Sequence, residues 1–353
     1  MIEGFFGNRQ VVQTLEQMAC SGRLPHCILL AGPAGVGKAT LVRRLAAQLL
    51  PEGKLVERDD LSLPDNAALI AEREKWPAEK RNEDPLVFAS HPDFLTFPPD
   101  GPLRQISIEQ VRELRQRAQF APHEGTRRIF LIDQIDRANE HAANSLLKVL
   151  EEPPPYLTLF LTATNAFDLL PTIRSRAVPL YLAPLKREEM QEFAKARGLK
   201  DAERRIALAD GSPGLAAQLD LEAYDGRRAV MVTLLETAVG LQPFSAWAKQ
   251  AEALSGSRGE KLENYLGVFY VLVEDLLRLS LQRVQLRNYD LEPQLRRMAE
   301  LVDFEWLQLA LRLADELLDQ LRRNIQKALA LDAMLVKLQS EARRVRRQAT
   351  AVG

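Results

Sequence analysis

The chain has 353 residues, 46% hydrophobic and 27% charged, and its 47 basic and 48 acidic residues leave a formal net charge of −1. That length suggests two or three domains, and the apolar content excludes general disorder. Near-neutrality excludes a globally basic nucleic-acid binder but leaves a local basic face open. Two cysteines, Cys20 and Cys27, and four scattered histidines offer neither a disulfide framework nor metal-ligand spacing, so no zinc or other metal site is expected. The first ten residues lack a basic start followed by an apolar run, and no apolar stretch has the length of a membrane span. The expectation is a cytoplasmic protein without a membrane partner.

Short apolar runs at Cys27–Ala31, Asp93–Phe97, Ile129–Asp133, Leu157–Ala163 and Val178–Leu182 read as five strands. Amphipathic stretches at Ala39–Leu50, Ile108–Gln119 and Ala138–Glu152 alternate with them, which implies an α/β fold with a parallel sheet covered on both faces. Pro51–Pro85 has no clear period and reads as an elaboration between the first two strands. After Pro184 the strands stop. Lys186–Arg197, Asp201–Ala209 and Gly214–Leu221 read as three short helices, broken at Gly198 and Gly211–Pro213. Longer helices follow at Arg227–Val239, Lys261–Leu281, Glu292–Ala299, Phe304–Leu321 and Ile325–Val345. The expected domains are 1–184, a small helical segment 185–224, and an all-helical part 225–353.

The strongest motif is the run Gly32 to Thr40, GPAGVGKAT, between an apolar strand and an amphipathic helix. Gly32, Gly35 and Gly37 let backbone N–H groups converge on an anion; the helix N-terminus adds positive potential, and Lys38 reaches terminal phosphates. The residue after the lysine should carry a hydroxyl for Mg²⁺, but it is Ala39. Thr40 is next, turned by about 100° around the helix. Phosphate binding is therefore expected without ordinary Mg²⁺ geometry.

Ile129–Ile132 delivers Asp133 to a strand end, where such a carboxylate helps hold a metal; it could equally cap the following helix. Gln134 then stands where a Glu would polarise water. Asn165, after the strand Leu157–Ala163, sits where a polar side chain can sense a terminal phosphate or simply cap a turn. Arg174 and Arg176 precede the last strand, and read alone they are surface ion-pair residues. The cluster Arg343–Arg347 reads as a solvated helix end.

Gly22–His26, the Gly32–Thr40 loop, the run Ala143–Pro154 (ANSLLKVLEEPP) and Leu170–Arg176 together resemble bacterial clamp-loader subunits of the AAA+ class, over the chain to about Leu219. The balance of features is similar to the delta-prime type of the DNA polymerase III holoenzyme. The resemblance implies a RecA-like P-loop domain, a small lid and a helical collar for oligomerisation. The hydrolysing tau/gamma type carries a cysteine zinc module between its first two strands, Thr after the P-loop lysine, Glu after the strand aspartate and a lid arginine. Here Pro51–Ser90 has no cysteine, the matching positions are Ala39 and Gln134, and Gly211–Leu215 has no arginine.

The Ser-Arg pair of that family is retained at Ser175–Arg176, and the resemblance makes Arg176 a finger for the ATP of a neighbouring subunit. The implied role is a largely non-hydrolysing ring member that helps load a sliding clamp on primed DNA with tau/gamma and delta subunits. ATP or ADP is the implied ligand of its degenerate P-loop, through Gly32, Gly35, Gly37, Lys38, Thr40, Asp133 and Asn165. Two alternatives stay open: an active ATP-hydrolysing subunit in which Thr40 and Asp136 compensate, and a standalone P-loop phosphotransferase.

Overall fold

The computed structural model describes residues 2, 4–256, 261–283, 285–321 and 327–352. Backbone contacts divide the chain into two units, Met1–Ala202 with Gly211–Ala217, and Glu203–Asp210 with Gln218–Gly353. Residues 185–224 thus contribute to both.

The first unit holds one sheet with strands β1 (Cys27–Ala31), β2 (Phe88–His91), β3 (Phe94–Phe97), β4 (Arg128–Ile132), β5 (Leu157–Ala163) and β6 (Val178–Tyr181), in the order β2-β3-β4-β5-β1-β6. The five expected strands are present and pair in parallel, but the sheet has six. The correction is β2, which pairs antiparallel with β3 at the sheet edge. Its pattern explains why it escaped: Phe88 and His91 are buried while Ala89 and Ser90 are exposed, so there is no period of two to read.

Along β1, β4 and β5 every residue is buried, and alternate residues enter two different cores. Leu29, Phe130, Ile132, Leu159 and Leu161 pack under helices Ile108–Ala118 and Glu140–Glu151. Ile28, Leu30, Ile129, Leu131 and Phe160 pack under helices Arg9–Cys20 and Lys38–Leu49. Continuous apolar strands with helices on both faces are what a buried parallel sheet requires. Ser107 starts its helix with a capping box, accepting from Gln110 N at 3.2 Å while the Gln110 side chain accepts from Ser107 N at 3.0 Å. The helix Glu140–Glu151 ends before Pro153, as expected.

The stretch without visible period folds as a 3₁₀ helix, Gly53–Asp59, and two short helices, Pro64–Arg73 and Ala78–Glu83. Its anchor is Arg73, 2% exposed, whose guanidinium reaches Asp100 (Nη2–Oδ2 2.7 Å) and the Asp84 carbonyl (2.5 Å). Trp76 lies 4.6 Å from the same guanidinium. Among the described residues no group of three His, Cys, Asp or Glu is placed to hold a metal ion.

The regular elements of the second unit are all helices among its described residues. Helices Leu221–Ala238, Leu262–Ser280 and Phe304–Leu321 bury Trp247, Phe269 and Trp306 in a common core. Trp306 Nε1 donates to the Leu338 carbonyl at 3.0 Å, and Trp247 Nε1 to Asp332 at 2.6 Å. Phe244–Gly256 is a helix that periodicity did not reveal. The expected helix start at Ile325 lies outside the described residues, as do the side chains of Val345–Arg347. No helix among the described residues is long and apolar enough to cross a membrane.

Candidate functional site

Because β4, β5, β1 and β6 are parallel neighbours, their C-terminal ends open on one edge. Ala31 is level with Ala163 on one side and Tyr181 on the other. That edge is where ligands of open α/β sheets bind.

The glycine loop leaves β1 there. Gly32 N donates to the Ala163 carbonyl at 3.2 Å, and a Cβ on Gly32 would lie 2.2 Å from the Leu182 carbonyl oxygen. Only glycine fits between those strands. Gly37 caps helix Lys38–Leu49 at φ 97°, a conformation that side chains rarely adopt, and a Cβ there would lie 2.9 Å from the Phe5 ring. The Gly35 carbonyl accepts from Gly214 N at 2.8 Å, and the Ser212 hydroxyl donates to the Ala34 carbonyl. The segment Gly211–Ala217 therefore sits on the loop through two hydrogen bonds. Ser212 and Gly214 were not read as site residues; the Gly-Ser-Pro-Gly punctuation was visible, but not its landing place.

Lys38 is 8% exposed. Its Nζ donates to the carbonyls of Gly32 (2.5 Å) and Pro33 (2.7 Å), so the ammonium is folded back onto its own loop. Burial pushes its pKa down, and the charges of Asp133 and Asp136 partly offset this. Asp133, 8% exposed, accepts from the Thr162 hydroxyl at 2.5 Å. The same Thr162 oxygen accepts from Gln134 N at 2.8 Å, fixing the backbone turn in which Gln134 has φ 56°. Thr162 is thus a candidate site residue that the sequence reading missed; its signal was a hydroxyl at the second-last position of a buried strand, beside the end that carries the loop. Asp136 Oδ2 accepts from Thr164 N at 3.1 Å, while its Oδ1 is buried without a hydrogen-bond partner.

The structure therefore brings Gly32, Gly35, Gly37, Lys38 and Asp133 to one place. It turns two other candidates to local work. The Thr40 hydroxyl accepts from Arg43 at 3.4 Å, one turn along the same helix. Asn165 caps the short helix Ala166–Asp168, accepting from Phe167 N at 3.0 Å and donating to Asp168 at 3.1 Å. Arg176 stands apart from the loop, between helix Pro171–Arg174 and the edge strand β6, its side chain 35% exposed.

A glycine loop with a buried lysine, at the C-terminal edge of a largely parallel sheet and beside a strand-end aspartate, defines a protein of the P-loop α/β class. Within that class, the chain belongs to the family described as DNA polymerase III, delta subunit, which matches residues 7–186. It is 31% identical over 228 residues to DNA polymerase III subunit delta' of Pseudomonas aeruginosa, covering 62% of this chain and 64% of that protein. It is 25% identical over 265 residues to DNA polymerase III subunit tau of Salmonella typhimurium, covering 72% of this chain and 38% of that protein. The chain thus spans less than two thirds of these curated relatives. Among solved structures, a DNA polymerase III gamma subunit-related protein of Thermotoga maritima aligns over 93% of this chain and 99% of its own, with TM-score 0.43 and 20% identity.

Proposed function

We propose that this chain is a delta-prime-type clamp-loader subunit. It takes its place in a cytoplasmic ring with tau/gamma-type and delta-type subunits that opens a sliding clamp and sets it on primed DNA. Its P-loop hydrolyses little or no ATP, and its contribution to turnover is Arg176, offered to a nucleotide on the adjacent subunit.

The observation that carries this reading is an asymmetry. The chemistry needed in cis is depleted: Ala39 brings no oxygen, Gln134 cannot accept a proton, Thr40 faces Arg43, and Gly211–Ala217 carries no arginine. The residue needed in trans is retained at a solvent-reachable position beside an edge strand. The phosphate cradle itself fits an anion, since Lys38 and the glycine turns remain; nucleotide must first draw Lys38 off two carbonyls. Hydrogen bonds from a charged donor are each worth about 1.5–3 kcal/mol, so weak binding with little Mg²⁺ dependence is expected. The competing reading is an active ATPase. It draws on the buried, unpartnered Asp136 oxygen near Lys38, which could stand in for the missing Glu.

The test is ATP turnover of the isolated chain, then of a ring assembled with its partner subunits, clamp and primed DNA. The isolated chain should be inert; turnover of about 1 s⁻¹ that Lys38→Ala abolishes would establish the active-ATPase reading instead. In the ring, Arg176→Ala should leave assembly intact, lower total ATPase partially and lower clamp loading more steeply. Arg176→Lys should restore little, because a point charge does not reproduce the guanidinium fork. Clamp loading at the unaltered rate with Arg176→Ala would return Arg176 to an ordinary surface ion pair.

A further inference from the structure

Arg176 is held within its own chain. Its Nη2 donates to Oε1 of Glu151 at 2.8 Å, and its Nη1 donates to the Thr172 carbonyl at 3.0 Å and the Ser175 hydroxyl at 3.3 Å. A guanidinium has five N–H donors, so these contacts occupy three of them. Two of the acceptors lie within four residues of Arg176. The third, Glu151, is 25 residues away, on the last turn of helix Glu140–Glu151.

That placement works against the helix. A helix C-terminus carries partial negative charge and favours cations, so a carboxylate there is unfavourable locally. Its compensation is the contact with Arg176, which places a cation against the same helix end. The prolines at 153 and 154 stop the helix just beyond, which fixes where the Glu151 backbone stands.

We infer that Glu151 is a positioning residue that parks the Arg176 guanidinium, and that the polyphosphate of a neighbouring nucleotide takes the guanidinium from it. The inference rests on the trans-finger reading above. The side chains of Arg176 and Glu151 are 35% and 49% exposed, so the pair biases an equilibrium by about five-fold at most. Such a latch is weak enough to open. A polyphosphate presents several charged oxygens to the fork, against the single oxygen that Glu151 now presents. The contact therefore works against nucleotide capture in the parked state and does not contribute to the chemical step once the finger has moved.

The experiment is steady-state ATP hydrolysis by the assembled ring as a function of ATP concentration, with Glu151→Gln, Glu151→Asp, Arg176→Ala and the double variant Glu151→Gln/Arg176→Ala. Glu151→Gln should lower the apparent KM for ATP about two- to five-fold with kcat unchanged. Glu151→Asp keeps the charge and should restore KM toward its original value. In the Arg176→Ala background, Glu151→Gln should have no further effect.

An unchanged KM overturns the latch. So does a fall in kcat, which would mean that Glu151 holds the finger in its working pose. An effect that persists without Arg176 also overturns it, because Glu151 would then act elsewhere. If Arg176→Ala alone is silent, the finger reading itself has failed, and that outcome is visible separately from any effect of Glu151.

Discussion

Replacing Arg73 by Met should destabilise the first unit more than any change at an exposed ion pair. The Arg73 side chain is 3% exposed and its partner Asp100 is 8% exposed. Nε lies 3.2 Å from each Asp100 oxygen and Nη2 2.7 Å from Oδ2, a bidentate pair sealed from solvent. Without the guanidinium, Asp100 Oδ1 keeps the Gly101 N–H at 2.7 Å, while the charge on the carboxylate stays buried without its cation. Breaking a buried pair from one side costs about 3–5 kcal/mol. The second bridge, to Asp84, adds little because that carboxylate is 70% exposed.

For a unit of roughly two hundred residues, each kcal/mol shifts the midpoint by about 2–4 °C, so the first thermal transition should fall by about 6–20 °C. The double variant Arg73→Met/Asp100→Asn removes both charges and should recover most of the loss, since replacing a whole buried pair is often close to neutral. Calorimetry on the full chain, with the two transitions resolved, measures both. A shift under about 2 °C for Arg73→Met, or a double variant no better than the single, would show that this pair does not anchor the insertion. The same experiment bears on zinc: if the ion pair holds this region, a strong chelator should leave the transition where it is.

Burial raises the pKa of Asp59, with opposing contributions from Ser90, Arg43 and His91, and one of its carboxylate oxygens is buried without a partner. A carboxyl whose folded pKa lies above its unfolded value binds the proton more tightly when folded. Its stability contribution is full below the ordinary pKa near 3.8 and is lost as pH rises through the folded value. Asp59→Asn should therefore gain stability relative to the parent as pH rises from 4 to 8, read as urea midpoints; a pH-independent difference would refute this. Burial likewise pushes the Cys27 thiol up to about 12, while Cys20 is exposed. A disulfide-exchange reagent at pH 8 should titrate Cys20 quickly in the native protein and reach Cys27 only on unfolding. Rapid reaction of both would mean that β1 opens readily.

Much of the architecture was legible because strand and helix patterns are local. The five apolar runs, the glycine loop and the Pro-terminated helix each follow from residue type and spacing within a dozen positions. So did the oxygen missing at Ala39 and the carboxylate missing at Gln134, since these are matters of identity. The edge strand β2 was not legible, because its buried residues are three apart and its pairing with β3 contains an irregularity. Nor was the insertion, whose order comes from Arg73 reaching Asp100 across 27 residues of chain. The rest of the site depended on neighbours that only folding supplies. Thr162 holds Asp133 because β5 lies beside β4. Ser212 reaches the glycine loop from 178 residues away, and Arg176 meets Glu151 from 25. Residue type and spacing set which groups this chain can present; which of them meet was decided by strand order and by where each helix stops, because hydrogen bonds and ion pairs act over a few ångströms and not along the chain.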